Sequence, residues 1–334
     1  MKPAAPHRRG RNRGAALLTA MLTVALVATF AAAALWQQWR SIEVETAERA
    51  RVQAAWILTG ALDWARLLLR EDHFGAGLNR PDHLGEPWAV PLEEARLSSF
   101  LAADRDNTAD TGPEVMEAFL SGRIIDLQSR LNVSKLVQNG KLSDDDFDSF
   151  ARLFELLGLP PAELDSLAEN LRFASDRSES NRSSPQAPLL PQTVEQLVWL
   201  GLSPQTVAVL QPYITVLQSA NTTVNLNTAS AEVIFAAVPD LTMAEAQQLV
   251  AARERSHFRR VSDASQLLNG GPSRMPEGQG VGVASSFFEI HARLRLDQLI
   301  VEERSLVQRS GLEVAVLRRE RSAAGPTGPS QAKR

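Results

Sequence analysis

A long charge-free stretch near the start of the chain is its most pronounced hydrophobic pattern. Residues 15–35 contain no charged side chain, and the basic segment 1–14 precedes them. A helix of about 21 residues is about 31 Å long, which suffices to cross the hydrocarbon core of a bilayer. Trp36 and Trp39 follow, and their rings favour the membrane–water interface. The pattern therefore predicts a transmembrane helix over residues 15–35.

The segment after this predicted span continues as an amphipathic helix. From Trp39 to Leu68 apolar residues recur every three to five positions, and charged residues occupy the other side. No proline occurs between Ala15 and Glu71, and Gly60 weakens a helix only locally. We expect one helix of about 57 residues and about 85 Å. Its second half presents one apolar face to a core.

The remaining chain alternates between strand patterns and a long helical region. A strand begins within residues 119–133, and a three-stranded meander follows residue 284, with turns at Asp297-Gln298 and Ser310-Gly311. We expect an α+β fold in which a large all-α insertion interrupts an antiparallel sheet. The expected divisions are 1–14 (basic leader), 15–35 (transmembrane helix), 36–133 (helix spine, a loop-rich part at 73–113, first strand), 134–284 (helical insertion with a polar linker at 174–191), 285–320 (strand meander) and 321–334 (disordered tail).

The helical insertion contains a repeated helix–turn–helix pattern. Three segments each combine a helix end, a tight turn and a new helix, with the turns around Gly158, Gly201 and Asp240. Helix-capping residues support the reading: the cap pairs are Ser203 with Pro204, Thr242 with Glu245, Thr193 with Gln196, and Ser143 before Asp144, Asp145 and Asp146. We expect helix–hairpin–helix (SAM-like) repeats that act as a packing scaffold.

The third repeat also resembles helix–hairpin–helix modules that grip DNA backbones. Those modules use a Gly-hydrophobic-Gly turn whose bare amides receive a phosphate. Here the turn reads Asp240, Leu241 and Thr242, so a carboxylate would repel the phosphate. A basic run lies nearby, at Arg253, Arg255, Arg259 and Arg260, but the net charge of the chain is −4. A membrane-tethered DNA-binding protein of the uptake type is the alternative function, and a salt-dependent gel shift distinguishes it.

Composition argues against an enzyme. The chain has no cysteine, which excludes disulfides, thiolate metal sites and cysteine nucleophiles. Its five histidines have no metal-ligand spacing, and there is no serine nucleophile elbow, P-loop or acid/base pair. We therefore expect a structural protein that requires no cofactor.

One acidic loop is a candidate cation site. Oxygen-rich loops can bind calcium, but the spacing here departs from that of an EF-hand, so a solvated acidic loop is the favoured interpretation. The candidate calcium ligands are Asp104, Asp106, Asp110 and Glu114.

The junction of leader and apolar helix resembles a type IV prepilin-like processing site. Gly14 lies between the basic residues and the span. In prepilin-like proteins a membrane peptidase cuts after a glycine at this place and methylates the new N-terminus, which here would be Ala15. Together with segments along most of the chain, this layout resembles the type II secretion system minor pseudopilin K family. The segments are RGAALLTAMLTVALVATF, ALDWARLLLRED, DHLGEPWAVPLEE, IIDLQSRLNVSKL, APLLPQTVEQLVWL, VNLNTASAEVIFAAVPDL and FFEIHARLRL.

The resemblance implies a pilin-like sheet and a structural role at the tip of a periplasmic pseudopilus, which the subunit initiates or caps to support protein export. It implies single-pass insertion in the inner membrane before assembly, with the N-terminus cytoplasmic, as the five basic residues before the span also indicate. The implied partners are the minor pseudopilins I, J and H, the major pseudopilin, the prepilin peptidase, the inner-membrane assembly platform and exported proteins. No nucleic acid is implied. The resemblance also implies that calcium can be bound, but it assigns none of the candidate residues as ligands.

Thr19 is a departure from the general pseudopilin pattern. Most subunits have a glutamate at this position, thought to pair with the N-terminal amine of the preceding subunit. A carboxylate at membrane depth is costly unless it is paired. A subunit with nothing above it in the fibre has no amine to neutralise, so Thr19 suits a tip position, and the K members also lack this glutamate.

A secretory signal peptide is the alternative interpretation of the N-terminus. It would share the basic start and the apolar core, and residues 31–34 offer an A-x-A-like cleavage site. However, about 21 apolar residues exceed the usual core of about 7 to 15, and the helical pattern continues through the site. A mature N-terminus at Ala15 would indicate the prepilin-like site, whereas one near Leu35 would indicate a secretory signal peptide.

Overall fold

The computed structural model describes residues 13–73, 80–97, 118–176, 178, 188–219, 221–268, 271, 275, 280–296 and 299–324. Its contacts group the chain into two compact units, Met1–Ile57 and Leu58–Arg334. The finer divisions expected within the second unit stay a prediction.

The secondary structure follows the α+β order expected from the sequence. The helices are α1 Arg13–His73, α2 Asp144–Leu157, α3 Pro161–Ser175, α4 Pro204–Leu210, α5 Ala231–Ala237, α6 Met243–Arg255 and α7 Val261–Ser265, with 3-10 turns at Pro87–Ala89, Leu127–Ser129, Val133–Leu136 and Val194–Leu200. The strands are β1 Leu92–Arg96, β2 Ala118–Asp126, β3 Leu131–Asn132, β4 Val137–Gln138, β5 Lys141–Leu142, β6 Ile214–Thr215, β7 Val224–Asn225, β8 Val281–Gly282, β9 Phe287–Leu296, β10 Leu299–Ser310 and β11 Glu313–Ala324.

Helix α1 is one continuous helix of 61 residues, which confirms the long-helix prediction. Its part at Ala15–Glu71 is long and apolar enough to cross a membrane, with a mean hydropathy of 2.2 in its most apolar window. The polar half carries ion pairs one turn apart, Glu45 with Arg49 and Glu48 with Arg51. Such pairs stabilise an exposed helix by a few tenths of a kcal/mol each, about 0.2–0.5.

The main sheet has five antiparallel strands in the order β1-β2-β9-β10-β11. The predicted first strand and the predicted meander are confirmed, and Gly311 turns the chain between β10 and β11 with φ +58°. The turn at residues 297–298 lies outside the described residues. The helical block lies between β2 and β9, so the predicted interruption of the sheet is confirmed.

Two strand predictions were wrong at their margins. Strand β1, with the sequence LEEAR, lies in the part 73–113 that was expected to be loop-rich from its glycine and proline residues. Strand β11 extends to Ala324, so residues 321–324 belong to the sheet and not to the expected tail. The reason is register: Arg321, Ser322, Ala323 and Ala324 pair with consecutive residues of β10. Residues 325–334 lie outside the described part.

One face of the sheet packs against the C-terminal part of α1. Leu62, Ala65 and Leu69 lie on one helix face and are buried with side chains of the sheet. The sheet residues are Phe288, Ile290, Val307 and Val314, and Trp88 of the 3-10 turn Pro87–Ala89 packs with them. Burying a large apolar side chain stabilises the fold by about 1.5–3 kcal/mol. This cluster therefore fixes the helix on the sheet.

Polar contacts supplement this packing at the edge strand β11. Arg66 Nε donates to the carbonyl of Val314 at 2.9 Å, and Arg319 donates to the Thr59 hydroxyl at 3.0 Å. Arg319 and Arg321 also bond to the buried carboxylate of Glu303 on β10. The arginines of β11 thus neutralise a buried charge and hold the helix at the same time.

The helical block has its own apolar core, and its three predicted turns are confirmed. All three use the left-handed backbone region: φ is +65° at Gly158, +103° at Gly201 and +56° at Asp240. The turns join α2 to α3, the 3-10 turn Val194–Leu200 to α4, and α5 to α6. Three pairs of two-residue strands, β3–β6, β4–β5 and β7–β8, add to the largely helical block.

Most predicted caps are confirmed. The Ser203 hydroxyl accepts from the Thr206 amide, and Thr242 and Glu245 form a reciprocal capping box. Ser143 caps α2 through the Asp146 amide. The box predicted for Thr193 and Gln196 was wrong, because the segment is a 3-10 turn: the Gln196 amide donates to the Thr193 carbonyl, and the Thr193 side chain makes no cap bond.

Two glycines offer a matched test of this backbone geometry. A Cβ at Gly201 would meet the Ser166 Cβ at 3.1 Å with φ at +103°, whereas a Cβ at Gly60 in α1 meets nothing within 4 Å. We expect Gly201→Ala to lower the free energy of unfolding by about 1–2 kcal/mol. Gly60→Ala should raise it by about 0.5–1 kcal/mol.

Urea unfolding of the full chain in detergent measures both variants. A stabilising Gly201→Ala would contradict the assigned turn geometry, and a destabilising Gly60→Ala would contradict the open helix surface at that position.

Candidate functional site

A buried polar cluster joins the main sheet to the helical block. We call it the junction cluster, and it consists of Asp82, Asp126, Asn225, Thr228, Ser285 and Arg309. Asp126 ends β2, where the chain leaves the sheet, and Ser285 lies two residues before β9, where the chain returns. Asn225 and Thr228 belong to the helical block, so the cluster binds the two parts at their point of connection.

Asp126 is the centre of this cluster. Its Oδ2 atom accepts from the hydroxyls of Ser285 at 2.6 Å and Thr228 at 2.5 Å and from the Asn225 amide at 3.1 Å. Its Oδ1 atom accepts from the Gln128 backbone amide at 2.8 Å. Every one of these donors is uncharged. The side chain can therefore hold sheet and block together through hydrogen bonds alone.

A buried ion pair supports the cluster from the sheet side. Arg309 Nη2 lies 2.5 Å from Asp82 Oδ1, and the two side chains are 4% and 2% exposed. Arg309 also donates to the carbonyls of Leu69 in α1 and Ser285. Asp82 Oδ2 accepts from the Ser285 amide at 2.6 Å. One arginine thus connects the long helix, the loop of Asp82 and the start of β9.

The environment of Asp126 favours its protonated form. Burial raises the pKa of Asp126 from 3.8 to about 6. Hydrogen bonds from Ser285, Thr228 and the Gln128 amide oppose this shift, while the nearby Asp82 carboxylate adds to it. The arrangement can hold or release a proton. Its evident role is to position the helical block.

A second contact crosses the same junction. The rings of His83 and His257 stack with their centroids 3.9 Å apart and their planes at 10°. His83 follows Asp82 in the loop, and His257 follows α6 in the block. The contact extends the junction beyond the junction cluster.

The predicted processing residues lie at the start of α1. Gly14 and Ala15 lie in its first turn, and residues 1–12 fall outside the described part. The Thr19 hydroxyl donates to the carbonyls of Ala15 at 3.1 Å and Ala16 at 2.9 Å. Cleavage after Gly14 stays a prediction.

The calcium prediction concerns residues that the structure does not describe. Asp104, Asp106, Asp110 and Glu114 all lie within the undescribed range 98–117. Among the residues that are described, no group of three or more His, Asp or Glu side chains is arranged for a metal ion. Calcium binding therefore stays a prediction.

The turn of the third repeat is built for packing. Arg253, part of the basic run, donates to the carbonyls of Leu226 at 2.6 Å and Ala229 at 2.5 Å. Its guanidinium is thus used within the fold. In the turn itself, the Thr242 amide and hydroxyl both donate to the Glu245 carboxylate, and the Glu245 amide donates to the Thr242 hydroxyl. These hydrogen bonds use the groups that a phosphate would need.

Sequence reasoning did not find the junction cluster. Asp82 and Asn225 lie in the segments DHLGEPWAVPLEE and VNLNTASAEVIFAAVPDL, which carry the family resemblance. These polar residues have no spacing that predicts burial, because their partners lie as far as 227 positions away in the chain. The family resemblance of both segments was the only available signal.

Comparison with known proteins decides the family. Two models described as "Type II secretion system (T2SS), protein K" match residues 129–219 and 224–283. The type II secretion system protein K of Pseudomonas aeruginosa is 30% identical over 280 residues, which is 78% of each chain. The chain belongs to the type II secretion system protein K family. The protein K of Klebsiella pneumoniae is 26% identical over 342 residues, covering 92% of this chain and 96% of that protein.

A solved structure shows the same fold. The crystal structure of the GspK-GspI-GspJ complex from the enterotoxigenic Escherichia coli type 2 secretion system contains a chain that matches with a TM-score of 0.62 at 17% identity. The match covers 83% of this chain and 99% of the other. This match confirms the expected fold class. Membership of the protein K family makes the protein a minor pseudopilin of the secretion machinery.

The buried ion pair gives the second testable prediction. Arg309→Met removes the guanidinium bound to Asp82 and leaves that carboxylate in a buried site. We expect the free energy of unfolding to fall by about 3–5 kcal/mol. Arg172→Met breaks an exposed pair with Glu169, whose side chains are 48% and 61% exposed, and should cost less than about 1 kcal/mol.

Chemical denaturation of the full chain in detergent measures both losses under the same conditions. An equal decrease in the free energy of unfolding in the two variants would contradict the role of Arg309 as the partner of a buried carboxylate.

Proposed function

We propose that this pseudopilin is cut between Gly14 and Ala15 by a prepilin peptidase, is methylated at Ala15 and then occupies the tip of the periplasmic pseudopilus. There it initiates or caps the fibre and supports export of proteins across the outer membrane. Before assembly it is a single-pass protein of the inner membrane, with its N-terminus in the cytoplasm and its larger part in the periplasm. The observation that carries the proposal is the unbroken helix α1 with the uncharged Thr19 in its apolar part.

The contacts of Thr19 support a tip position. Its hydroxyl is satisfied by carbonyls of its own helix, so it needs no partner from another subunit. A glutamate at that depth would need a positive charge to offset its burial. A terminal subunit does not receive the amine of a further subunit, and this chain has no acid that would require one there.

The partners follow from the family and the structural match. The related Escherichia coli protein was solved in a complex with GspI and GspJ. We infer that this chain likewise binds minor pseudopilins of the I and J types. The H-type minor pseudopilin, the major pseudopilin, the assembly platform and exported proteins are further proposed partners. Exposed apolar side chains of the helical block, such as Trp199 and Val209, offer surface for such contacts.

The work of the subunit is mechanical under this proposal. It requires neither catalysis nor nucleic acid. It requires no cofactor, and calcium bound by Asp104, Asp106, Asp110 and Glu114 would be an accessory.

Processing of the N-terminus gives the third prediction. In a host with its prepilin peptidase, the mature chain should start with N-methylated Ala15. Gly14→Val should leave the full leader in place, because a side chain at the cleavage position blocks the peptidase. Gly10→Val, a change at the other leader glycine, should leave processing intact.

N-terminal sequencing and intact mass spectrometry read out all three chains. A mature N-terminus near Leu35 would show that a signal peptidase acts instead, and would refute cleavage after Gly14.

Deletion of the gene gives the fourth prediction. Secretion should stop, or pseudopili should grow without control, because the fibre lacks its terminal subunit. Export assays and electron microscopy measure these effects, with the wild-type gene restored on a plasmid as the control. Normal export and normal fibres in the deletion strain would contradict the proposal.

A pull-down with a tagged copy of the chain tests the proposed partners. Failure to capture the I and J subunits would contradict the proposal.

A further inference from the structure

The junction cluster is built to respond to a proton. We propose that Asp126 is a proton-operated latch between the sheet and the helical block: the protonated carboxyl holds the block firmly, and the ionised carboxylate loosens it. This inference concerns the fold alone and does not depend on the tip position.

The charges at the junction carry the first step. Asp82 and Asp126 are both buried, at 1% and 3% exposure. The guanidinium of Arg309 is bonded to Asp82, whereas the bonds to Asp126 come from uncharged groups. When both carboxyls are ionised, the Asp82 carboxylate disfavours the negative charge on Asp126. A proton on Asp126 removes this repulsion.

Arg130 is a further charged group that interacts with Asp126. Arg130 is attracted to Asp126 but also to Glu289, and burial lowers the pKa of Arg130. His83, next to Asp82, stacks on His257 across the same junction.

The geometry also provides an acceptor for the proton of Asp126. Thr228 Oγ1 lies 2.5 Å from Asp126 Oδ2 and 3.5 Å from the carbonyl oxygen of Asn225. When Asp126 is protonated, its hydroxyl can donate to Thr228 Oγ1 while the Thr228 hydroxyl turns to the Asn225 carbonyl. No heavy atom must move. The proton comes from solvent and returns to it when the latch opens.

The direction of the pH response follows from the pKa of Asp126, which rises from 3.8 to about 6 in the folded chain. Between these values the closed state binds a proton that the opened state releases. The stabilisation is therefore fully present below pH 3.8 and is lost as the pH rises through about 6. Two pH units correspond to an increase of about 100-fold in the opening constant.

Hydrogen exchange at the junction measures this opening. The Asp82 amide donates to the Val283 carbonyl at 2.8 Å, across the junction, so it is protected only while the block is closed against the loop of Asp82. In the full chain in detergent, exchange corrected for intrinsic rates should accelerate about 100-fold between pH 4 and 7.5. Asp126→Asn should show no such acceleration. Asp165→Asn, at an exposed position of α3, should behave as the wild type.

Wild-type exchange that is independent of pH would overturn the proposal, and so would a wild-type response in Asp126→Asn. If Asp126→Asn does not fold, Ser285→Ala replaces it as the test. This change removes the hydrogen bond that most favours the ionised form of Asp126, so the midpoint must move to higher pH. An unchanged or lower midpoint would overturn the latch. Infrared difference spectra should in addition show a protonated carboxylic acid in the wild type that titrates with the same midpoint.

Discussion

The ion pair between Asp82 and Arg309 is the contact on which the arrangement of sheet, helix and helical block depends. It joins residues 227 positions apart, and Arg309 adds bonds to α1 and to the segment that enters β9. A buried pair contributes little net stability, but its partners cannot be separated without leaving a charge in an apolar site. Its main effect is therefore to exclude other placements of these segments.

The connection of the helical block to the sheet is narrow. Asp126 at the end of β2 pairs in register with Phe288 at the start of β9, so the chain leaves and re-enters the sheet at neighbouring positions. A sheet interrupted in this way keeps its strand order whatever is inserted. The small apolar cluster of Leu127, Leu217 and Phe287, together with the polar contacts around Asp126, then orients the block.

Local patterns in the sequence predicted what local physics determines. The unbroken helix followed from the apolar periodicity and the absence of proline, and the three turns followed from Gly158, Gly201 and Asp240 at helix ends. The junction cluster could not be predicted, because the burial of Asp126 depends on Asn225 and Ser285, which lie 99 and 159 positions later. Strand β1 was missed for a similar reason: it is specified by its pairing with β2 rather than by its own residues.

Strand β11 lies at the edge of the main sheet, where a second copy of the subunit could pair with it. A strand of 12 residues at the margin of a sheet is a template onto which a neighbouring chain can add. Its arginines, which neutralise Glu303 and hold α1, also place positive charge along that margin, where a second copy would bring the same charge. The arginines thus oppose the addition of a second copy at this edge.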